Sequence, residues 1–210
     1  MVFPLFAAGR RLTPKALRHF IGLVLCFGLG VASAHTDQAT SGSFVAGYLH
    51  PLTGVDHVLA MVAVGILGTV LGRPRLWALP IAFLLSMTIG AVVGIAGVQP
   101  PYVEQGIAIS VIVLGLAILV GRQVSVGPAL AVVSVFGLLH GLAHGIELPG
   151  SASPEAYTAG FLVAAGILHL AGIGVGTLGT LTGGLRWVRI GGGLIAATGV
   201  WILVGILGVI

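Results

Sequence analysis

Six long apolar stretches, near residues 53–72, 75–98, 103–121, 126–147, 156–181 and 188–210, leave this chain few ways to fold. Each is long enough to cross a hydrocarbon layer of ~30 Å at ~1.5 Å per helical residue. Inside lipid, every backbone N–H and C=O needs an internal partner, so segments of this kind read as helices. Composition agrees: 57% of residues are hydrophobic and 7% are charged, with a mean hydropathy of +1.16. A soluble domain carries roughly 25% charged residues. The expected fold is an all-α membrane protein, a compact bundle of six transmembrane helices after a cleavable signal peptide. The lipid bilayer is its first partner.

The formal charge of +4 does not point to nucleic acid. Arg10, Arg11, Lys15 and Arg18 precede residue 20, where there is no acid, and beyond them five basic residues balance five acidic ones. The excess belongs to the N-terminus, which reads as a signal peptide. A basic region, GRRLTPKALRH, precedes the short apolar run FIGLVLCFGLGV and then Ala32-Ser33-Ala34, an A-x-A cleavage pattern. Residues 1–34 are therefore expected to be removed, leaving residues 35–210 as a transport domain that begins at His35. Cys26, the single cysteine, lies inside the signal, which excludes thiolate metal or redox sites from the mature chain.

The connections are short and carry turn chemistry: GRPR, QPPY, GRQVSVGP, LPGSASPE and TGGLR. Arg73 and Arg75 follow the first stretch, Arg122 the third, and Arg186 and Arg189 the fifth. Every basic residue of the mature chain thus falls on one side, which the positive-inside rule makes cytoplasmic. Asp37, Asp56, Glu104, Glu147 and Glu155 fall at or near the other side. The expected location is the bacterial cytoplasmic membrane, with both mature termini periplasmic.

Ionisable groups cost at least a few kcal/mol in a bilayer interior, yet two stretches concentrate them at the outer ends of the first and fourth spans. In the fourth, His140, His144 and Glu147 recur at i, i+4 and i+7, on one helix face. Two imidazoles one turn apart can share a divalent cation. In the first, His50 precedes the adjacent pair Asp56 and His57. Helical neighbours point about 100° apart, so the pair alone is no chelate. Either one ligates while the other faces a different helix, or Asp56 accepts the second ring N–H of a ligating histidine. Pro51 and Gly54 disfavour a regular helix, so His50 is expected on a loop or half-helix folded back toward Asp56.

Met61, Glu104, His169 and His35 are weaker metal candidates. Met61 reads first as packing, Glu104 as much as an interfacial cap as a ligand, and His169 equally as a structural histidine or a deeper station. His35 would pair its imidazole with the mature α-amine. Gly137, Gly141 and Gly145 recur every four residues, as do Gly90 and Gly94, and Gly172 and Gly176. Small residues at that spacing let helices approach closely, which turns the adjacent histidine stripe toward protein. Imidazole and carboxylate ligands without sulfur suit nickel, cobalt, zinc, copper or iron(II) without choosing among them.

Residues 50–65, HPLTGVDHVLAMVAVG, and residues 139–147, LHGLAHGIE, together resemble the HupE/UreJ family of bacterial membrane proteins. Its patterns are H-P-x(3)-G-x-D-H followed by A-M-x-A-V-G, and F-H-G-x-A-H-G-x-E, with Leu139 here in place of the phenylalanine. The resemblance covers essentially the whole chain. It implies a nickel permease supporting hydrogenase or urease maturation, with His50, Asp56, His57, His140, His144 and Glu147 handling the metal. Ni²⁺ is then cargo, not a permanently bound cofactor, and Co²⁺, Zn²⁺, Cu²⁺ or Fe²⁺ are its competitors. A periplasmic or outer-membrane metal-delivery system is a further implied partner. No Walker motif or H-E-x-x-H signature is present. Two rival readings stand beside the permease: an intramembrane metalloenzyme, and a metal sensor or accessory protein that binds without transporting.

Overall fold

A computed structural model describes residues 38–209, with side chains from residue 41 onward. Its described residues form seven helices and no strand: α1 (Gln38–Thr53), α2 (Val55–Leu71), α3 (Arg75–Ile95), α4 (Val103–Val120), α5 (Val126–Ile146), α6 (Pro154–Leu181) and α7 (Leu185–Ile206). Five of them, α3 to α7, are long and apolar enough to cross a membrane, and the bent pair α1–α2 supplies a sixth candidate. The chain is thus an all-α, multi-pass membrane protein. The proposed signal peptide, its cleavage point, Cys26 and His35 lie outside the described residues.

The first expected span, 53–72, is the one the structure revises. α2 alone has 17 residues, about 25 Å, and α1 before it is a helix that the apolar stretches did not announce. The two meet at Gly54 with a bend of 82°. The cause is local. Pro51 lies inside the last turn of α1 and has no N–H for the helical ladder. The Thr53 hydroxyl donates to the His50 carbonyl at 2.7 Å, taking up an acceptor that the interrupted helix leaves free. Gly54 is then extended, with φ −90° and ψ 114°, and α2 restarts.

Glycine decides which helices touch. Gly137, Gly141 and Gly145 of α5 lie against the α3 backbone around Phe83, Met87 and Ala91. Gly90 and Gly94 of α3 return the contact toward Leu138 and Leu142. The register rises along both helices, so α3 and α5 run parallel. Gly65 of α2 and Gly172 of α6 likewise interlock in parallel, while Gly115 of α4 and Gly192 of α7 do so antiparallel. α1 packs on the outer part of α6, where Gly47 faces the Tyr157 backbone and Gly160 faces Phe44 and Tyr48. Its buried Ser43, Gly47 and Pro51 recur every four residues and make that face.

α2 is the central helix, in contact with α6, α4, α3, α7 and α1. Residues 63–68 are buried in succession, more than a full turn, so protein encloses every face of this short element. The lipid-facing surface is bulky instead: Ile81, Leu85, Ile89 and Val92 of α3 are all exposed.

Candidate metal centre

Three helix ends converge at one end of the bundle. α1 delivers His50 from its last turn, α2 begins with Asp56 and His57, and α5 ends with His144 and its C-cap residue Glu147. The C-termini of α1 and α5 present unpaired carbonyls and the negative ends of their dipoles, a setting that favours a cation.

The outermost group is His50, His144 and Glu147, whose ligand atoms lie within 4.8 Å of one another. His50 Nε2 and Glu147 Oε2 are 2.7 Å apart, with side-chain exposures of 29% and 45%. His50 is on a half-helix, as expected, but it turns toward α5 rather than back to Asp56. Its ring lies 4.9 Å from that of His144 and 6.5 Å from that of His57. The 82° bend is the reason, because it swings the end of α1 over the end of α5. The hydrogen bond to His50, more than any other influence, holds the Glu147 carboxyl below its ordinary range. Glu147 is therefore an ionised acceptor at neutral pH.

A second group adjoins the first. His57 sits 4.8 Å from His144 and 5.1 Å from His140, ring centroid to ring centroid. Asp56 Oδ1 accepts both the His57 backbone N–H, at 2.8 Å, and its Nδ1–H, at 2.7 Å. This hydrogen bond is the one the second of the two arrangements calls for: the carboxylate orients the imidazole. His140 is oriented by other means, its Nδ1–H donating to the Phe136 carbonyl one turn earlier at 2.9 Å. Both rings thus turn a bare Nε2 into the protein, and neither Nε2 has a hydrogen-bond partner among the described residues. Both ring nitrogens of fully buried His144 are also unpartnered. Buried imidazole nitrogens left bare cost free energy, and the donor set of neutral imidazoles with carboxylates fits a divalent transition-metal ion.

The series continues past an aromatic ring. Phe83 of α3 lies 5.3 Å from His140 on one side and 5.2 Å from His169 of α6 on the other. His169 is buried, and both its ring nitrogens lack a hydrogen bond of good geometry, although the Ala165 backbone approaches one turn earlier. Glu104, in the first turn of α4, is exposed and within electrostatic reach of Glu147, His57 and Asp56. It therefore borders the mouth while also complementing its own helix dipole. Met61 lies fully buried in the apolar core. Sequence reasoning overlooked the aromatic frame. Phe161 stacks on His144 at 4.8 Å and 17°, and Tyr157 lies 5.8 Å from His50. No spacing signal separates such aromatics from ordinary membrane filler, and a tyrosine near a helix start reads as an interfacial anchor.

Fold and site together define a polytopic membrane protein with a buried histidine–carboxylate cluster opening at one face of the bundle. The particular family follows from comparison with known proteins. The family model described as "HupE / UreJ protein" matches residues 23–202. Protein HupE of Rhizobium leguminosarum bv. viciae is 42% identical over 175 residues, covering 83% of this chain and 91% of that protein. The chain belongs to the HupE/UreJ family. No solved structure matches it.

Proposed function

We propose that this protein is a permease of the bacterial cytoplasmic membrane that imports a divalent transition-metal ion, Ni²⁺ by the resemblance of its motifs, toward hydrogenase or urease maturation. One observation carries the reading. Imidazoles His50, His144, His57 and His140 form an unbroken series of ring neighbours 4.8–5.1 Å apart, from a half-exposed mouth to full burial. A catalytic or sensory site needs a single set of ligands around one ion position. A run of neighbouring rings with bare nitrogens suits an ion that passes from one set to the next.

In this reading His50, His144 and Glu147 capture the ion at the periplasmic mouth. The ligands must be deprotonated to bind, and the ionised Glu147 supplies charge from the start. His57 and His140 take the ion next, held in their orientations by Asp56 and the Phe136 carbonyl. Movement of the Phe83 ring would open the way to His169. The basic loops of the opposite end face the cytoplasm, so the inside-negative potential drives inward movement. It contributes about 4.6 kcal/mol per 100 mV for a divalent ion, from ~2.3 per charge. No resident cofactor and no catalysed reaction enter the mechanism. The residues of the mature chain, 35–210, act as a single transport domain.

Uptake of radioactive nickel by bacterial cells lacking their own nickel importers tests this directly. Cells making the wild type should accumulate the ion. His57→Ala and His144→Ala, at equal membrane abundance, should each reduce uptake to the level of empty cells. Excess Co²⁺, Zn²⁺, Cu²⁺ and Fe²⁺ rank the competing ions. Wild-type uptake no greater than that of empty cells would remove the permease reading. Tight metal binding by the purified protein in that case would favour the accessory or sensor role.

A further inference from the structure

We propose that the Tyr157 hydroxyl is a specificity-determining group of the outer site, hydrogen-bonded to a water retained on the divalent ion that His50, His144 and Glu147 hold. The inference rests on the reading of that cluster as a metal site and adds a group that neither motif contains.

Tyr157 lies one turn beyond Ser153, the residue that caps α6. It is 1% exposed, and its hydroxyl is buried without a hydrogen-bond partner among the described residues. A phenylalanine would fill the same space without burying a polar atom, so packing does not account for the oxygen. The ring is part of the wall of the site. It lies 5.8 Å from His50 and 5.9 Å from Phe161, which in turn stacks on His144. The Tyr157 backbone is clamped against Gly47 of α1, where even a methyl group would collide with its carbonyl. The side chain is thus anchored at the joint that brings His50 to the mouth, and it lies within electrostatic reach of the Glu147 carboxylate.

The chemistry follows from the ligand count. Two imidazoles and one carboxylate leave at least one position on a divalent ion for water. Water on a cation is acidified and becomes a strong donor, and the phenol oxygen is an acceptor for it. A neutral hydroxyl holds the water without adding charge, so the ion is recognised with part of its hydration shell in place and stays releasable. Ions that keep an aqua ligand gain from this arrangement over ions that close their shell with protein donors alone.

The test compares the purified full-length protein with its Tyr157→Phe variant. Ni²⁺ and Co²⁺ affinities are measured by titration, the visible ligand-field spectrum of the Co²⁺ form is recorded, and thermal unfolding is followed without metal. Loss of one neutral hydrogen bond should weaken Ni²⁺ and Co²⁺ binding about threefold to tenfold. The Co²⁺ spectrum should shift and intensify as coordination number falls, and metal-free unfolding should be unchanged or slightly raised in temperature. Equal affinity and an unchanged spectrum would overturn the inference. A lowered unfolding temperature in the metal-free variant would also overturn it, because the hydroxyl would then serve the fold. If the wild type binds neither ion, the metal-site reading itself falls, an outcome distinct from failure of the variant comparison alone.

Discussion

At the scale of single residues, the site is governed by what holds each imidazole still. A histidine has two ring nitrogens, and the partner of one decides what the other can do. Asp56 takes the Nδ1–H of His57, and the Phe136 carbonyl takes that of His140, so each presents Nε2 as a lone pair. Gly54 belongs to the same device: a Cβ there would lie 2.8 Å from His57 Nδ1 and 2.9 Å from Asp56 Oδ1. Asp56→Asn keeps the shape of the side chain but removes its charge. It should weaken metal binding about 10–100-fold, the usual effect of losing a group that orients a ligand. Calorimetric titration of the purified variant checks this, and wild-type affinity would show that Asp56 does not act through His57.

At the scale of elements, the α3–α5 pair is closely packed through its glycines and also sets the position of the histidines along α5. His140 and His144 flank Gly141 on α5, and the glycine lies directly on the Met87 carbonyl of α3. Lipid offers no hydrophobic drive between helices, so close backbone approach supplies much of the association. Gly141→Val should part the helices at a cost of about 1–3 kcal/mol, the range for overpacking. A lower unfolding temperature in detergent and loss of metal binding are the expected readouts. Gly127 is on the same helix, but a Cβ there would meet nothing within 4 Å. It is the control: Gly127→Val should leave both readouts unchanged.

At the scale of the whole molecule, the charges sort by end. Arg73 lies between α2 and α3, Arg122 between α4 and α5, and Arg186 and Arg189 at the start of α7. The Arg189 guanidinium reaches Gly121 at the end of α4, so these connections share one end of the bundle. His50, Glu147 and the α5–α6 connection belong to the other. Single cysteines at exposed Gln123 and Ser151, in a Cys26→Ala background, test the proposed orientation. An impermeant maleimide applied to spheroplasts should label Ser151→Cys and spare Gln123→Cys until the cells are opened. The reverse pattern would invert the topology and with it the direction of transport.

Hydropathy and charge alone were enough to settle the helical membrane class, the ends of α3 to α7 to within about four residues, and which connections are basic and which acidic. They also marked His50, Asp56, His57, His140, His144 and Glu147, because an ionisable group in an apolar run must be compensated. The glycine spacings picked out contact faces for the same kind of reason: in lipid, small size rather than apolarity distinguishes an inward face. α1 escaped notice because its Ser- and Gly-containing, Pro-interrupted sequence lacks the length and hydropathy of a span. Its direction could not be read either. Pro51 and Gly54 break the helix locally, but the side to which α1 then lies goes with its seat on Gly160 of α6, a contact more than a hundred residues away. The division of six polar residues into an outer group and one adjoining it, and the presence of Tyr157, Phe161 and Phe83 around them, likewise arise only when distant helices pack. Apolar helices carry no strong pattern of hydrophobicity to say which way each is turned, so the rotation that closes the site is decided by the fit of one helix against another.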